Sequence, residues 1–281
     1  MRLTSRDLEI FKLISKTAIL TTAQIEKAVF TSVATTTVLR RLRKLERAKF
    51  IQRIEGLPNH ELAWALTLRG AQTVGYANSK RHFHRFNLIH DVKLADLRLT
   101  LEGHGVALAW TPEHEIRSSM ARRHGLKRMK NQSVPDGMMV AYINEVMESV
   151  VLELELHYKN QDRYKAPFDS YKWKKNIKAV WYLVANESLG RHLEKLWVKG
   201  GKYGPWFFWS IADDVLRNVG QAKLNHYDEI FLVEDVFRRR MIADLPAHPG
   251  GSGVSTFAEE LREGKINLTP QNLKESSEVA S

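Results

Sequence analysis

The stretch VVLELELHYKN, residues 150–160, has the apolar content of a buried β-strand from Val150 to Leu156, yet it carries two carboxylates. Successive strand side chains point to opposite faces. Glu153 and Glu155 therefore share one face, while Leu152, Leu154 and Leu156 take the other. Two like charges side by side on so apolar a strand require either a solvated face or a cationic cover. Which of the two holds decides whether this strand is a sheet edge or part of a functional site.

A partner strand precedes it. SVPDGMMVAYI, residues 133–143, reads as a strand beginning at a proline, and Asp136 lies seventeen residues before Glu153, a separation suited to two strands joined by a hairpin. Asp136, Glu153 and Glu155 can then converge on one point. Carboxylates packed together repel one another and push their pKa values up unless paired. A divalent ion that prefers oxygen ligands, Mg2+ or Mn2+, removes the conflict. It also activates water and stabilises charge developing on a phosphate. The plain alternatives stay open: PDG as an ordinary turn, and the glutamates as the solvent face of an edge strand paired with local lysines.

The surrounding elements make a mixed α/β domain. NLIHDVKLADLRLTLEGHG (87–105) is a helix with Leu94, Leu97 and Leu101 on its buried stripe. VALAWTPEHEIR (106–117) reads as a strand bearing Glu115, followed by a Lys/Arg-rich loop at 122–132. After the glutamate strand come a helix around SYKWKKNIKAV (170–180), a strand at VWYLVA (180–185) and a helix at LGRHLEKLWVKG (189–200). Late strands follow at PWFFWSIA (205–212) and HYDEIFLVED (226–235).

The first eighty residues have a different character. LTSRDLEIFKLISKTAILTTAQIEKAVF (3–30) reads as two helices, capped by Thr4 or Ser5 and by Thr21 or Thr22. A third, SVATTTVLRRLRKLERAKF (32–50), has Val38, Leu42 and Leu45 at helical spacing. Its other face carries Arg40, Arg41, Arg43, Lys44 and Arg47, with Thr35, Thr36 and Thr37 at its start. FIQRI and LAWALT then flank a Gly-Leu-Pro-Asn turn, which signals a hairpin. Three helices followed by a hairpin predict a winged helix-turn-helix. Short polar residues at a helix start can reach base edges in double-stranded DNA, and the arginines and lysines beyond can meet phosphates. Winged helices also dock proteins, the competing reading.

Totals agree with a polyanion partner. The 281 residues carry a net charge of +11 and a pI of about 9.7. Residues 1–80 hold fourteen Lys and Arg against six Asp and Glu. With no cysteine, disulfides, thiolate nucleophiles and cysteine zinc sites are excluded, and an intracellular, cytoplasmic protein is expected. No apolar run is long enough to cross a bilayer, so no membrane partner is expected.

The winged helix followed by HDVKLADLRLTLE, WTPEHEIR, VPDGMMV and LELELHYKN resembles the replication-relaxation proteins of plasmids and other mobile elements, over roughly residues 3–185. The second half is also similar to the PD-(D/E)XK nuclease fold. That resemblance implies an α+β chain with an N-terminal winged helix-turn-helix domain at 1–80 and a mixed α/β restriction-endonuclease-like domain at 81–244. Beyond it the chain turns polar, rich in Pro, Gly, Ser and Glu, which reads as a mostly disordered tail at 245–281. The resemblance places Asp136 at the first acidic position and Glu153 at the second. The lysine position falls on Glu155, with Lys159 four residues further on and Glu115 as an additional metal ligand. Two functions follow from it. One is a Mg2+- or Mn2+-dependent nicking or cleaving deoxyribonuclease acting in plasmid replication or mobilisation. The other is a sequence-specific regulator of transcription or replication, whose nuclease-like domain is an inactive scaffold or forms a homodimer.

Three other motifs carry less. His82 and His84 in HFH imitate a metal-binding pair but read as surface histidines of a linker. KGGKYG and HPGGSGVS lack the Lys-Ser/Thr ending of a phosphate loop. YKWKKNIK interleaves Lys172, Lys174, Lys175 and Lys178 with Tyr171 and Trp173, a pattern suited to a DNA backbone beside the acidic site or to a solvated helix face.

Overall fold

Two hydrophobic patterns, one of period 3.6 and one of period 2, divide the chain between a helical layer and a large sheet. The structure is a computed structural model that describes residues 1–30, 32–58, 61–76, 83, 87–124, 133–174, 176–201 and 203–237. The His82/His84 pair, Asn59 of the hairpin turn, most of the basic loop at 122–132, HPGGSGVS and the tail at 245–281 lie outside the described residues.

Helix α1 (Ser5–Thr17) starts at Thr4, whose hydroxyl accepts the Asp7 N–H while Asp7 accepts the Thr4 N–H. Thr21 and Gln24 make the same reciprocal cap on α2 (Thr22–Val29). α3 (Thr35–Arg47) buries Val38, Leu42 and Leu45 in a core shared with Ile10, Phe11, Ile14 and Ile25. β2 (Ile51–Ile54) pairs with β3 (Ala63–Leu66), Ile51 opposite Leu66. The short β1 (Leu20–Thr21) adds to the other edge of β3, and α4 (Leu68–Thr73) follows.

α5 (Leu88–Gly103) serves two cores. Ala95 joins the helical core, with Leu99 packed against it, while Leu97 and Leu101 enter the core of the sheet. The sheet begins with β4 (Ala109–Pro112), and here the expected strand at 106–117 needs correction. It stops at Pro112, and α6 (Glu113–His124) takes over. Proline has no N–H for the ladder, and Glu113 and Glu115 suit the positive first turn of a helix.

β5 (Gly137–Ile143) and β6 (Val146–Glu155) form a tight hairpin through Asn144 and Glu145, both at positive φ. Such a two-residue turn matches the strand twist and locks the register. α7 (Asp162–Lys172) crosses over to β7 (Ala179–Val184), which is parallel to β6. α8 (Glu187–Lys199) then crosses to β8 (Trp206–Ile211), parallel to β7. α9 (Ala212–Arg217), β9 (Lys223–His226), β10 (Glu229–Leu232) and α10 (Val233–Val236) finish a seven-stranded sheet of order β10-β9-β8-β7-β6-β5-β4.

Two further expectations shift. The helix around 170–180 ends at Lys172, because the backbone of Lys178 already joins the sheet through Ser149 and Trp206. HYDEIFLVED is not one strand but the end of β9, a turn at Tyr227 with φ of 54°, β10 and α10. The sheet is covered on both sides. Val150, Leu152 and Leu154 face the α5 side with Trp181 and Leu183, whereas Val151 faces α7 and α8 with Tyr182 and Val184.

Candidate functional site

The two regions singled out from the sequence are the outer face of α3 and the carboxylates of β5 and β6. On α3, burial of Val38, Leu42 and Leu45 turns Thr35, Thr36, Thr37, Arg40, Arg43, Lys44 and Arg47 outward, and all seven are exposed. The Thr35 hydroxyl bonds Glu26 at 3.0 Å, tying the helix start to α2. Arg41 is the exception among the basic residues. Its Nε donates to Asp7 Oδ1 at 2.8 Å and a second N–H reaches Oδ2, while the Asp7 side chain is 1% exposed. Burial alone would raise the Asp7 carboxyl, but the Arg41 and Thr4 hydrogen bonds outweigh it and hold it below the ordinary value. The expected phosphate contact at Arg41 thus gives way to a partner inside the protein.

The hairpin register carries the acidic group. One step beyond the last ladder pair, Gly137 with Leu152, Asp136 comes alongside Glu153, and its N–H donates to that carboxylate. Asp136 accepts the Leu154 N–H at 2.8 Å through Oδ2, and the same oxygen lies 3.1 Å from His90 Nε2. His90 Nε2 is also 3.1 Å from the Leu154 carbonyl, and its Nδ1 is 3.4 Å from Asp91. Burial alone would lower the imidazole. The bonds and charges of Asp136 and Asp91 reverse this and raise it to about 10, so a protonated ring faces Asp136 at neutral pH. Gly137 admits the Trp110 ring from β4: a Cβ there would lie 2.3 Å from it.

Glu153 takes the Tyr171 hydroxyl from α7 and the Asp136 N–H. Burial, then the Asp136 charge, push its carboxyl well above the ordinary value. Glu155 is buried and ion-paired with Lys159 Nζ at 2.6 Å. Tyr164, two helical turns before Tyr171 on the same face of α7, lies beside Glu155, and burial, with the Glu155 charge adding to it, pushes its phenol up to about 12. Lys174 sits 5.4 Å over the Tyr171 ring; burial lowers its ammonium while the Glu153 charge opposes that. The two glutamates therefore have a cover of tyrosines and lysines rather than an open, solvated face.

Glu115 lies elsewhere. On α6 instead of a strand, it bonds Tyr76 and feels Lys16 and Arg98, and its carboxyl is raised chiefly by burial. A cavity of about 30 Å³ opens beside Asp136, lined also by Asp91, Arg98, Trp110 and His114, but neither Glu153 nor Glu155 lines it.

The donors present do not fit a resident Mg2+ or Mn2+. Such an ion wants several unengaged oxygens. Here Asp136 is bonded by His90, Glu153 by Tyr171 and Glu155 by Lys159. No group of three or more His, Asp or Glu among the described residues is arranged to hold a metal. Sequence reasoning missed His90 and Tyr164, and it read Tyr171 as part of a basic stretch rather than as the partner of Glu153. The tyrosines had a signal, a seven-residue spacing on the helix that follows the glutamates. His90 had none beyond its place in the first turn of α5.

No helix among the described residues is long and apolar enough to cross a membrane. Comparison with the curated proteins gives no match. The replication-relaxation family matches residues 11–172, more than half of the 281. On that match, the chain belongs to the replication-relaxation family.

Proposed function

We propose that this protein binds duplex DNA of a plasmid or other mobile element through α3 and acts there in replication or mobilisation. One observation carries the reading. α3 keeps its apolar stripe in the core and turns a row of threonines, arginines and a lysine outward, beside the β2–β3 hairpin. Residues 1–80 then act as a winged helix-turn-helix. Thr36 and Thr37 read base edges, Arg40, Arg43, Lys44 and Arg47 hold phosphates, and Thr35 and Arg41 brace the helix. The acidic group of β5 and β6 serves as the polar centre of a nuclease-like scaffold, satisfied by the protein's own donors.

Binding of labelled replicon fragments at several salt concentrations tests this. Replacing Arg40 and Arg43 by alanine should weaken binding to every sequence and flatten the salt slope by about 0.9 for each phosphate no longer neutralised. Replacing Thr36 and Thr37 should relax site choice by ~1–3 kcal/mol per base read. Unchanged affinity and site choice in both variants would remove α3 as the DNA-binding surface.

A metal-dependent nuclease is the second reading, favoured by Asp136 standing alongside Glu153 with Lys159 and Lys174 close by. It requires His90 to leave Asp136. Cleavage of supercoiled plasmid with Mg2+ or Mn2+ that disappears in Asp136→Ala would establish it over the scaffold.

A further inference from the structure

Beside the acidic group, three aromatic side chains face solvent. Trp173 is 74% exposed, Tyr203 49% and Trp206 36%. Burying a tryptophan is so favourable that exposure on this scale, with a second exposed ring beside it, points to an interaction surface. Trp173 and Tyr203 form a pair with ring centres 5.5 Å apart, whereas Trp206 packs edge-on against Phe208 at 6.0 Å.

The surface is held in place from below. Lys172, 5% exposed, donates from Nζ to the carbonyls of Trp197 and Gly201, both at 2.7 Å. It thereby staples the end of α7 to the segment after α8, and its ammonium also sits 5.3 Å under the Tyr203 ring. Gly204, at φ of 102°, passes so close to Lys172 that a Cβ would lie 2.9 Å from its Cα. Lys172 is thus structural, unlike its neighbours.

The sequence next to the rings is basic: residues 171–178 and 199–206 together contain six lysines and no Asp or Glu, although Lys172 is buried and Lys178 reaches Glu148. Lys178 lies 5.0 Å over Trp206, and its ion pair with Glu148 is a long one at 3.9 Å. Lys174 connects the group to Tyr171 and so to Glu153.

We infer that Trp173 and Tyr203, with Lys174 and Lys178 in the same basic stretch, form a platform for single-stranded nucleic acid. Unstacked bases lie on the rings and the lysines follow the backbone. Duplex DNA is the wrong partner for this surface, because its bases are already stacked and their faces hidden. An acidic protein would satisfy the lysines but would leave the exposed ring faces unused. A single strand uses both, with little preference for sequence. This surface is separate from α3, so the inference stands whether or not α3 reads duplex DNA.

The test uses the full chain and a fluorescein-labelled oligothymidylate of about a dozen nucleotides, within the usual site size of such surfaces. Trp173→Ala with Tyr203→Ala removes two exposed rings, of which only Tyr203 also covers the Lys172 ammonium, so the variant should remain folded and melt close to the parent. It should weaken single-strand binding at least about thirtyfold, the low end for two bases deprived of their stacking rings. An abasic strand of equal length should bind the parent as weakly as the oligothymidylate binds this variant. Lys174→Gln with Lys178→Gln should flatten the salt slope by about 0.7 for each phosphate no longer neutralised. Affinity for a duplex replicon fragment should be unaffected by the ring substitutions. The inference is overturned if the ring variant binds the single strand as tightly as the parent. It is overturned equally if the parent binds abasic and normal strands alike. Self-association of the parent that the ring variant abolishes, with single-strand binding unchanged, would assign the patch to a protein partner instead.

Discussion

Arg40 and Arg41 are neighbours in sequence with opposite surroundings, and replacing each by alanine separates DNA binding from structural support. Arg41→Ala leaves Asp7, whose side chain is 1% exposed, with its Thr4 bonds alone. Removing one partner of a buried pair costs about 3–5 kcal/mol. The Arg41 side chain is 23% exposed, so water enters once it is cut back, and a loss of ~2–3 kcal/mol is expected. For a chain of this size that lowers the melting temperature by about 4–12 °C. Arg40→Ala, on an exposed side chain, should stay within about 0.5 kcal/mol of the parent. The double variant Asp7→Asn/Arg41→Ala should cost less than the sum of its parts, since the two groups act as a pair. The pH dependence has a definite sign. The Asp7 carboxyl is lowered in the folded state, so the stability it contributes is complete above the ordinary carboxylate value, near 4. That contribution is lost as pH falls through the lowered value, so the gap between parent and Arg41→Ala should narrow in strong acid. Thermal and urea melts at neutral and acid pH, with DNA-binding salt slopes, measure all of this. Arg41→Ala melting with the parent while losing as much DNA affinity as Arg40→Ala would refute the assignment.

Three other outcomes are expected. Gly137→Ala forces a Cβ into the Trp110 ring and should cost ~1–3 kcal/mol in urea melts; a silent substitution would mean that β4 and β5 do not meet there. Tyr171→Phe keeps the packing of α7 but removes a donor from Glu153, for ~1–3 kcal/mol, and a melt indistinguishable from the parent would contradict that hydrogen bond. Mg2+ or Mn2+ should leave the melting temperature of the parent unmoved. Saturation at about a hundred times Kd would instead add ~2.7 kcal/mol, and a rise of that size, absent in Asp136→Ala, would show that the carboxylates exchange their present donors for a metal.

Local rules made several features of this protein legible from sequence. Thr4 with Asp7 and Thr21 with Gln24 have the spacing of reciprocal caps, so two helix starts could be read to within a residue. The interval between Asp136 and Glu153 implied a hairpin, and the two-residue turn at Asn144 sets its register, which brings the Asp136 N–H onto Glu153. The apolar stripe of α3 assigned its exposed face, because a helix has one periodicity and one buried side. Periodicity, however, reports which face a side chain occupies and not what lies across from it. Only the tertiary structure paired Arg41 with Asp7, thirty-four positions away, and so withdrew one arginine from the outer face. Only it brought His90 from α5 onto Asp136, and Tyr171 and Lys174 onto Glu153. A strand can carry Glu153 and Glu155 side by side in a nearly buried setting because partners outside the strand supply the protons and positive charge. Likewise, Lys172 and Trp173 are adjacent in YKWKKNIK, yet the end of α7 buries the lysine and exposes the indole. That division follows from where the segment after α8 crosses, a meeting of stretches about thirty residues apart that no local pattern encodes.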